Sequence, residues 1–236
     1  MKTTWVICRR ELSSYFNSPV AYIVITVFLV LIGVLFFIPF FTADQTTMRN
    51  FFGVVPFLYI FFAPAMTMRL MAEEMRSGTI EVLSTMPVRD GEVITGKFLA
   101  ALGLLVVALL LTFPYAIAIS FLGNLDWGPV WGGYIGLILL GGAYLAIGLF
   151  ASSLTQNQIV AFVVAIFISM LFMMLDSFLP FIPYSFGSVI EYFSFSYHFR
   201  NISRGVLDSR DILFFLSFTA IGLLFAHWSL QSRRWR

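Results

Sequence analysis

The chain has 236 residues, 60% of them hydrophobic and 11% charged, with a mean hydropathy of +0.93. Soluble domains carry about 25% charged residues, so an ordinary wet surface is excluded and the chain reads as an all-α integral membrane protein forming one transmembrane domain over residues 1–236. The formal charge of +2 is uninformative by itself, since where the charges fall matters more; no nucleic-acid partner is expected, and a lone cysteine, Cys8, allows no intrachain disulfide.

Residues 2–18 come first. Trp5, Cys8, Leu12, Tyr15 and Phe16 recur at helical spacing while Arg9, Arg10, Ser13 and Asn17 face away, which predicts an amphipathic helix lying in the membrane interface. A signal peptide would carry an apolar region of about 7–15 residues and a small-residue cleavage site. The uncharged run from Pro19 to Phe41 is longer, and no cleavage pattern follows it.

A membrane crossing needs about 20 apolar residues. The hydropathy pattern predicts six spans, near 20–41, 53–72, 97–122, 131–151, 158–179 and 212–231. No charge falls between Trp127 and Leu175, a run too long for one helix; the polar residues Ser152 to Gln158 divide it at a tight turn. Pro56, Pro64 and Pro114 lie inside spans and are expected to kink them. Gly132 and Gly136 form a GxxxG step, the mark of close helix packing.

Between the second and third spans, residues 73–97 read EEMRSGTIEVLSTMPVRDGEVITGK. Ser77, Gly78 and Thr79 break the incoming helix. Ile80, Val82, Leu83 and Met86 give a short helix with an apolar side and Glu81 on its polar side, stopped at Pro87. Asp90 is placed to cap the next helix, with Glu92 in its first turn. The expected product is a short helix lying on the membrane surface.

Basic residues orient the chain. One side collects Lys2, Arg9, Arg10, Arg69, Arg76, Arg89, Lys97, Arg233, Arg234 and Arg236; the other has Arg49, Arg200, Arg204 and Arg210. Both termini and the 73–97 loop are thus expected in the cytoplasm, in a multi-pass protein of the inner (plasma) membrane. The outer segment, 180–211, holds Pro180, Pro183 and an aromatic stretch from Tyr192 to Phe199. Phe195, Phe199, Ile202 and Val206 fit one face of a short outer or re-entrant helix that also carries His198, Arg200 and Arg204. It is either an aromatic anchor belt or a gate over a pathway.

Little here supports catalysis. The histidines, His198 and His227, are far apart, so no metal site is expected, and no nucleophile–base set assembles. Gly91 to Lys97 has the G-x4-G-K spacing of a phosphate-binding loop, but Phe98 follows where Ser or Thr is needed, and no strand precedes it. Arg69 and Asp176 fall near span ends and can snorkel; no charge is expected mid-span, which argues against an ion-driven carrier and leaves any energy source outside this chain.

The run EE-x-R-x-GT-x-E-x-L-x-x-x-P, preceded by Pro64 to Arg69, resembles the loop after the second span of ABC-2-type transporter permeases. Tyr197-His198-Phe199 with Ser203 to Asp211 resembles the gliding-motility-associated group of those permeases. The resemblance implies a permease subunit that is not itself an enzyme. It implies a separate ABC ATPase partner that holds ATP and Mg, a second permease copy or similar permease, and surrounding membrane lipid. The short surface helix would dock on the ATPase as a coupling helix through Glu73, Glu74, Arg76, Gly78, Thr79, Glu81, Leu83 and Pro87, tilting the first three spans against the last three. Phe195, His198, Phe199 and Arg204 would form an outer gate. In such permeases the second and fifth spans lie near the pathway, where Met66, Met68, Met71, Met170, Met173 and Met174 would suit an amphiphilic cargo. The rival expectation is an ATP-independent carrier or an assembly or motility scaffold.

Overall fold

In a computed structural model, residues 2–43, 47–79, 88–181 and 190–234 are described. They form helices α1 (Lys2–Asn17), α2 (Pro19–Ala43), α3 (Arg49–Ser77), α4 (Asp90–Leu110), α5 (Phe113–Leu122), α6 (Trp127–Leu154), α7 (Gln158–Met174), α8 (Phe195–Ser203) and α9 (Ser209–Arg234), with a 3-10 segment at Leu175–Phe181 after α7. Among the described residues, six helical stretches are long and apolar enough to cross a membrane: Pro19–Ile38, Arg49–Ser77, Asp90–Leu122, Trp127–Leu154, Gln158–Phe178 and Ser209–Ser232.

Most of these helices outrun the apolar windows, because a helix satisfies its own backbone groups and need not stop where hydrocarbon stops. α3 runs on through Glu73, Glu74 and Arg76, and α4 begins at Asp90, so the polar break between spans is shorter than 73–97. Lys97, expected at a watery loop end, is 1% exposed inside α4. Asp126 caps α6 by accepting Gly128 N–H at 3.0 Å, and Asn157 caps α7 through Ile159 N–H at 2.9 Å.

The prolines differ in effect. α3 continues through Pro56 and Pro64. Pro114 ends α4: its ring cannot pass the carbonyl four residues earlier, Leu110, and the helix restarts at Phe113 with Pro114 in its first turn.

The core is built on α6 and α3. Of their spanning windows, 78% and 67% of residues are buried, against 28% for α2, 22% for α9 and 17% for α7. α3 packs most extensively on α6, and α9, α7 and α8 pack on α6 as well. The tightest interface therefore joins the second span to the fourth, across the expected division between the first three spans and the last three. The GxxxG step acts within the chain: a Cβ at Gly132 would lie 2.6 Å from the Ile202 carbonyl oxygen of α8.

Two expected faces change. On α1 the buried residues are Ile7 and Cys8, while Trp5 is 66% exposed, because the helix meets α4 along its Ile7 side. Val206 leaves the face of Phe195, Phe199 and Ile202, because α8 ends at Ser203 and Gly205, at φ 87°, turns the chain away.

Candidate functional site

The end of the bundle that holds the termini is tied by polar contacts. α1 crosses α4 at Gly96, where a Cβ would come within 2.9 Å of Ile7. That close approach brings Glu11, the one carboxylate in α1, toward Lys97. The Lys97 ammonium donates to Glu74 Oε1 at 2.7 Å and to Glu11 Oε1 at 3.4 Å. Arg10 donates to Glu11 at 2.7 Å and lies 3.7 Å from Glu74. The Glu11 carboxylate beside it raises the Arg10 guanidinium above its usual value. Tyr15 donates its hydroxyl to the Met66 carbonyl of α3 at 2.5 Å, and burial pushes that hydroxyl well above its ordinary range. One buried ammonium thus joins α1, α3 and α4.

Further along the same end, Ser152 of α6 accepts from Met71 N–H and Ala72 N–H, each at 3.1 Å, and donates to the Met68 carbonyl at 2.9 Å. Ser229 of α9 donates to the Ser153 carbonyl of α6 at 2.9 Å. Polar ties therefore run from α1 through α3 and α6 to α9.

From this tied base a tip projects. Arg69 pairs with Glu73 at 3.0 Å on the exposed side of α3. Arg76, Ser77, Gly78 and Thr79 are exposed. Gly78, at φ 72°, closes the helix in the left-handed conformation. The Ser77 and Thr79 hydroxyls each reach the Glu74 carbonyl at 3.3 Å. The structure thus brings Glu73, Glu74, Arg76, Gly78 and Thr79 together; Glu81, Leu83 and Pro87 lie outside the described residues. The break at Gly78 falls where the sequence puts it. The next cap falls at Arg89 rather than Asp90, with Glu92 Oε2 3.3 Å from Arg89 N–H. Gly91 to Lys97 is helical, so its G-x4-G-K spacing serves helix packing and the ion pair.

Sequence reading missed the Lys97–Glu74–Glu11 cluster and Ser152. The signal for the first was a lone acid in α1 and a lysine with apolar residues after it. Ser152 read as part of a turn, and nothing local distinguished it.

The expected outer residues separate into two kinds. Phe195 is fully buried against Tyr144, Phe172 and Phe218, with ring centroids at 5.2, 5.3 and 4.8 Å. His198 stacks on Phe214 at 3.9 Å, and its Nδ1 lies 2.6 Å from Asp211 Oδ1. Its Nε2 lies 2.8 Å from the Tyr192 carbonyl, which can only accept, so Nε2 donates there. These two residues fix α8 to α9. Phe199 and Arg204 instead border a cavity of about 720 Å³ at this end of the bundle. Of the methionines, Met66 and Met71 are buried in α3, whereas Met170 and Met174 on α7 are exposed.

A family model described as ABC-2 family transporter protein matches residues 36–221. No curated protein matches the chain significantly. The match covers most of the sequence, taking in the second to fifth apolar helices whole, the end of the first and the first half of the last: the chain belongs to the ABC-2 transporter family and is a multi-pass membrane protein.

Proposed function

We propose that this chain is the permease subunit of an ATP-binding cassette transporter in the inner membrane, with both termini in the cytoplasm. A separate ATPase subunit, holding ATP and Mg, docks on the tip beyond Gly78, and a second copy or a similar permease completes the transporter. The observation that carries this reading is the tied end itself. A push on the tip at 76–79 enters α3, and α3 is bonded to α4 and α1 through Lys97 and to α6 through Ser152. A rigid tie at the base of an exposed tip is what a force-transmitting contact requires. Because α3 and α6 move together, access would switch by motion of this pair against the less buried α2 and α7. The Tyr197–Asp211 stretch supports membership in the gliding-motility-associated group, and an amphiphilic cargo fits the exposed methionines of α7.

The test is pull-down of the ATPase by the permease, with ATP turnover in the reconstituted complex. Glu81→Lys should weaken docking, and Leu83→Asp should weaken it more by placing an unpaired charge in an apolar contact. Both residues fall between the spans expected from hydropathy at 53–72 and 97–122, so expression should stay near normal. If both variants bind and stimulate the ATPase like the parent, the stretch is not the docking element.

A further inference from the structure

The cavity at the end opposite the termini opens between the start of α3, the start of α6, the end of α7 and α8. Its volume is about 720 Å³, within the range of about 300–1,000 Å³ usual for ligand sites. Three arginines line it, Arg49, Arg200 and Arg204, against two acids, Asp126 and Asp176. Both acids are engaged: Asp176 accepts from Arg200 at 3.0 Å, and Asp126 caps α6. Arg49 and Arg204 make no ion pair among the described residues. Their guanidinium groups are left with donors suited to a planar or tetrahedral oxyanion. The rest of the wall mixes the polar residues Thr47, Asn124, Ser196 and Ser203 with apolar ones, Phe52 and Phe199 among them.

This end contrasts with the one that holds the termini. There a smaller cavity of about 410 Å³ is also lined by basic residues, Arg10, Arg69 and Lys97, but each is paired with Glu11, Glu73 or Glu74. Charges that hold helices together are spent; among the described residues Arg49 and Arg204 are not.

We propose that this cavity binds a phosphate-class oxyanion through Arg49 and Arg204, with the apolar part of the wall, at Phe52 and Phe199, taking the tail when the anion is a lipid headgroup. The site goes beyond the permease reading, and its test needs no ATPase, so either can fail without the other. The purified chain in neutral detergent would be titrated with phosphatidylglycerol, and separately with inorganic phosphate, and bound ligand counted by native mass spectrometry. Arg49→Gln with Arg204→Gln should weaken phosphatidylglycerol binding roughly tenfold or more, the loss of charge-assisted hydrogen bonds. Asp176→Asn, which frees Arg200, should strengthen it. Arg76→Gln, an exposed arginine at the other end, should leave it unchanged. Competition by inorganic phosphate would mark the oxyanion alone as the determinant; its failure to compete would mark the headgroup joined to its tail. Binding that the double variant leaves intact, or that Arg76→Gln weakens equally, overturns the proposal.

Discussion

The two ends of the bundle use charge in opposite ways. At the end with the termini, Lys97 is almost wholly buried and its donors go to Glu74 and Glu11. At the other end, Arg200 is paired but largely exposed, with 57% of its side chain accessible, and Arg49 and Arg204 stand open to a cavity. Breaking a buried pair costs far more than losing an exposed one, because the partner left behind is stranded in a poor solvent. The first end is built to stay together; the second is built to present charge.

The strongest way to break this comparison is Lys97→Met. It leaves Glu74 and Glu11, which are 21% and 14% exposed, with the exposed Arg10 as their remaining cation among the described residues, where Glu74 Oε2 has no partner. The expected loss is about 3–5 kcal/mol, read as a lower unfolding midpoint in detergent. Adding Glu74→Gln to Lys97→Met should recover part of it. Arg204→Gln, by contrast, should stay within about 0.5 kcal/mol of the parent, as exposed substitutions do. Equal losses for Lys97→Met and Arg204→Gln would remove the distinction between the ends.

A smaller effect tests whether the tie reaches α6. Ser152→Ala removes one hydroxyl that serves Met71 N–H, Ala72 N–H and the Met68 carbonyl. Stranding buried groups of this kind costs about 1–3 kcal/mol. Because Lys97 and Ser152 both hold the same turns of α3, their effects should not add; a coupling of at least about 0.5 kcal/mol is expected in a double-mutant cycle. Simple additivity would mean that the two ties act separately and that no continuous base supports the tip.

Much of this was legible in the sequence for a physical reason. A spanning helix must satisfy its backbone and its side chains in one local run, so hydropathy alone finds all six helices. Gly78 and Asn157 are local punctuation and read correctly as breaks. What could not be read depends on which helix lies beside which. Lys97 looks like a loop-end lysine until α1 is laid across Gly96. Trp5 looks buried until Ile7 is seen to take the contact. The expected division between the first three spans and the last three had no local signal behind it, and the packing of α3 on α6 runs against it.

The smallest predicted effect bears on the tip. Gly78 has φ 72°, and a Cβ placed there would meet nothing within 4 Å. Gly78→Ala therefore meets no clash; its cost is only that of holding an L-residue in the left-handed region, about 1 kcal/mol. Asn accepts that region better than Ala, so Gly78→Asn should lie closer to the parent. Global stability would barely register either change. The strain is released most cheaply by turning the chain out of the left-handed conformation, which re-aims residues 79 onward relative to α3. ATPase docking should then fall for Gly78→Ala and hold for Gly78→Asn, while the unfolding midpoints of the two stay close together. A separation in docking without one in stability would show that the direction in which the chain leaves α3 matters to the contact. If docking is equal in both variants and the parent, the ATPase does not depend on how the tip is aimed, and the rigid base below it has another purpose.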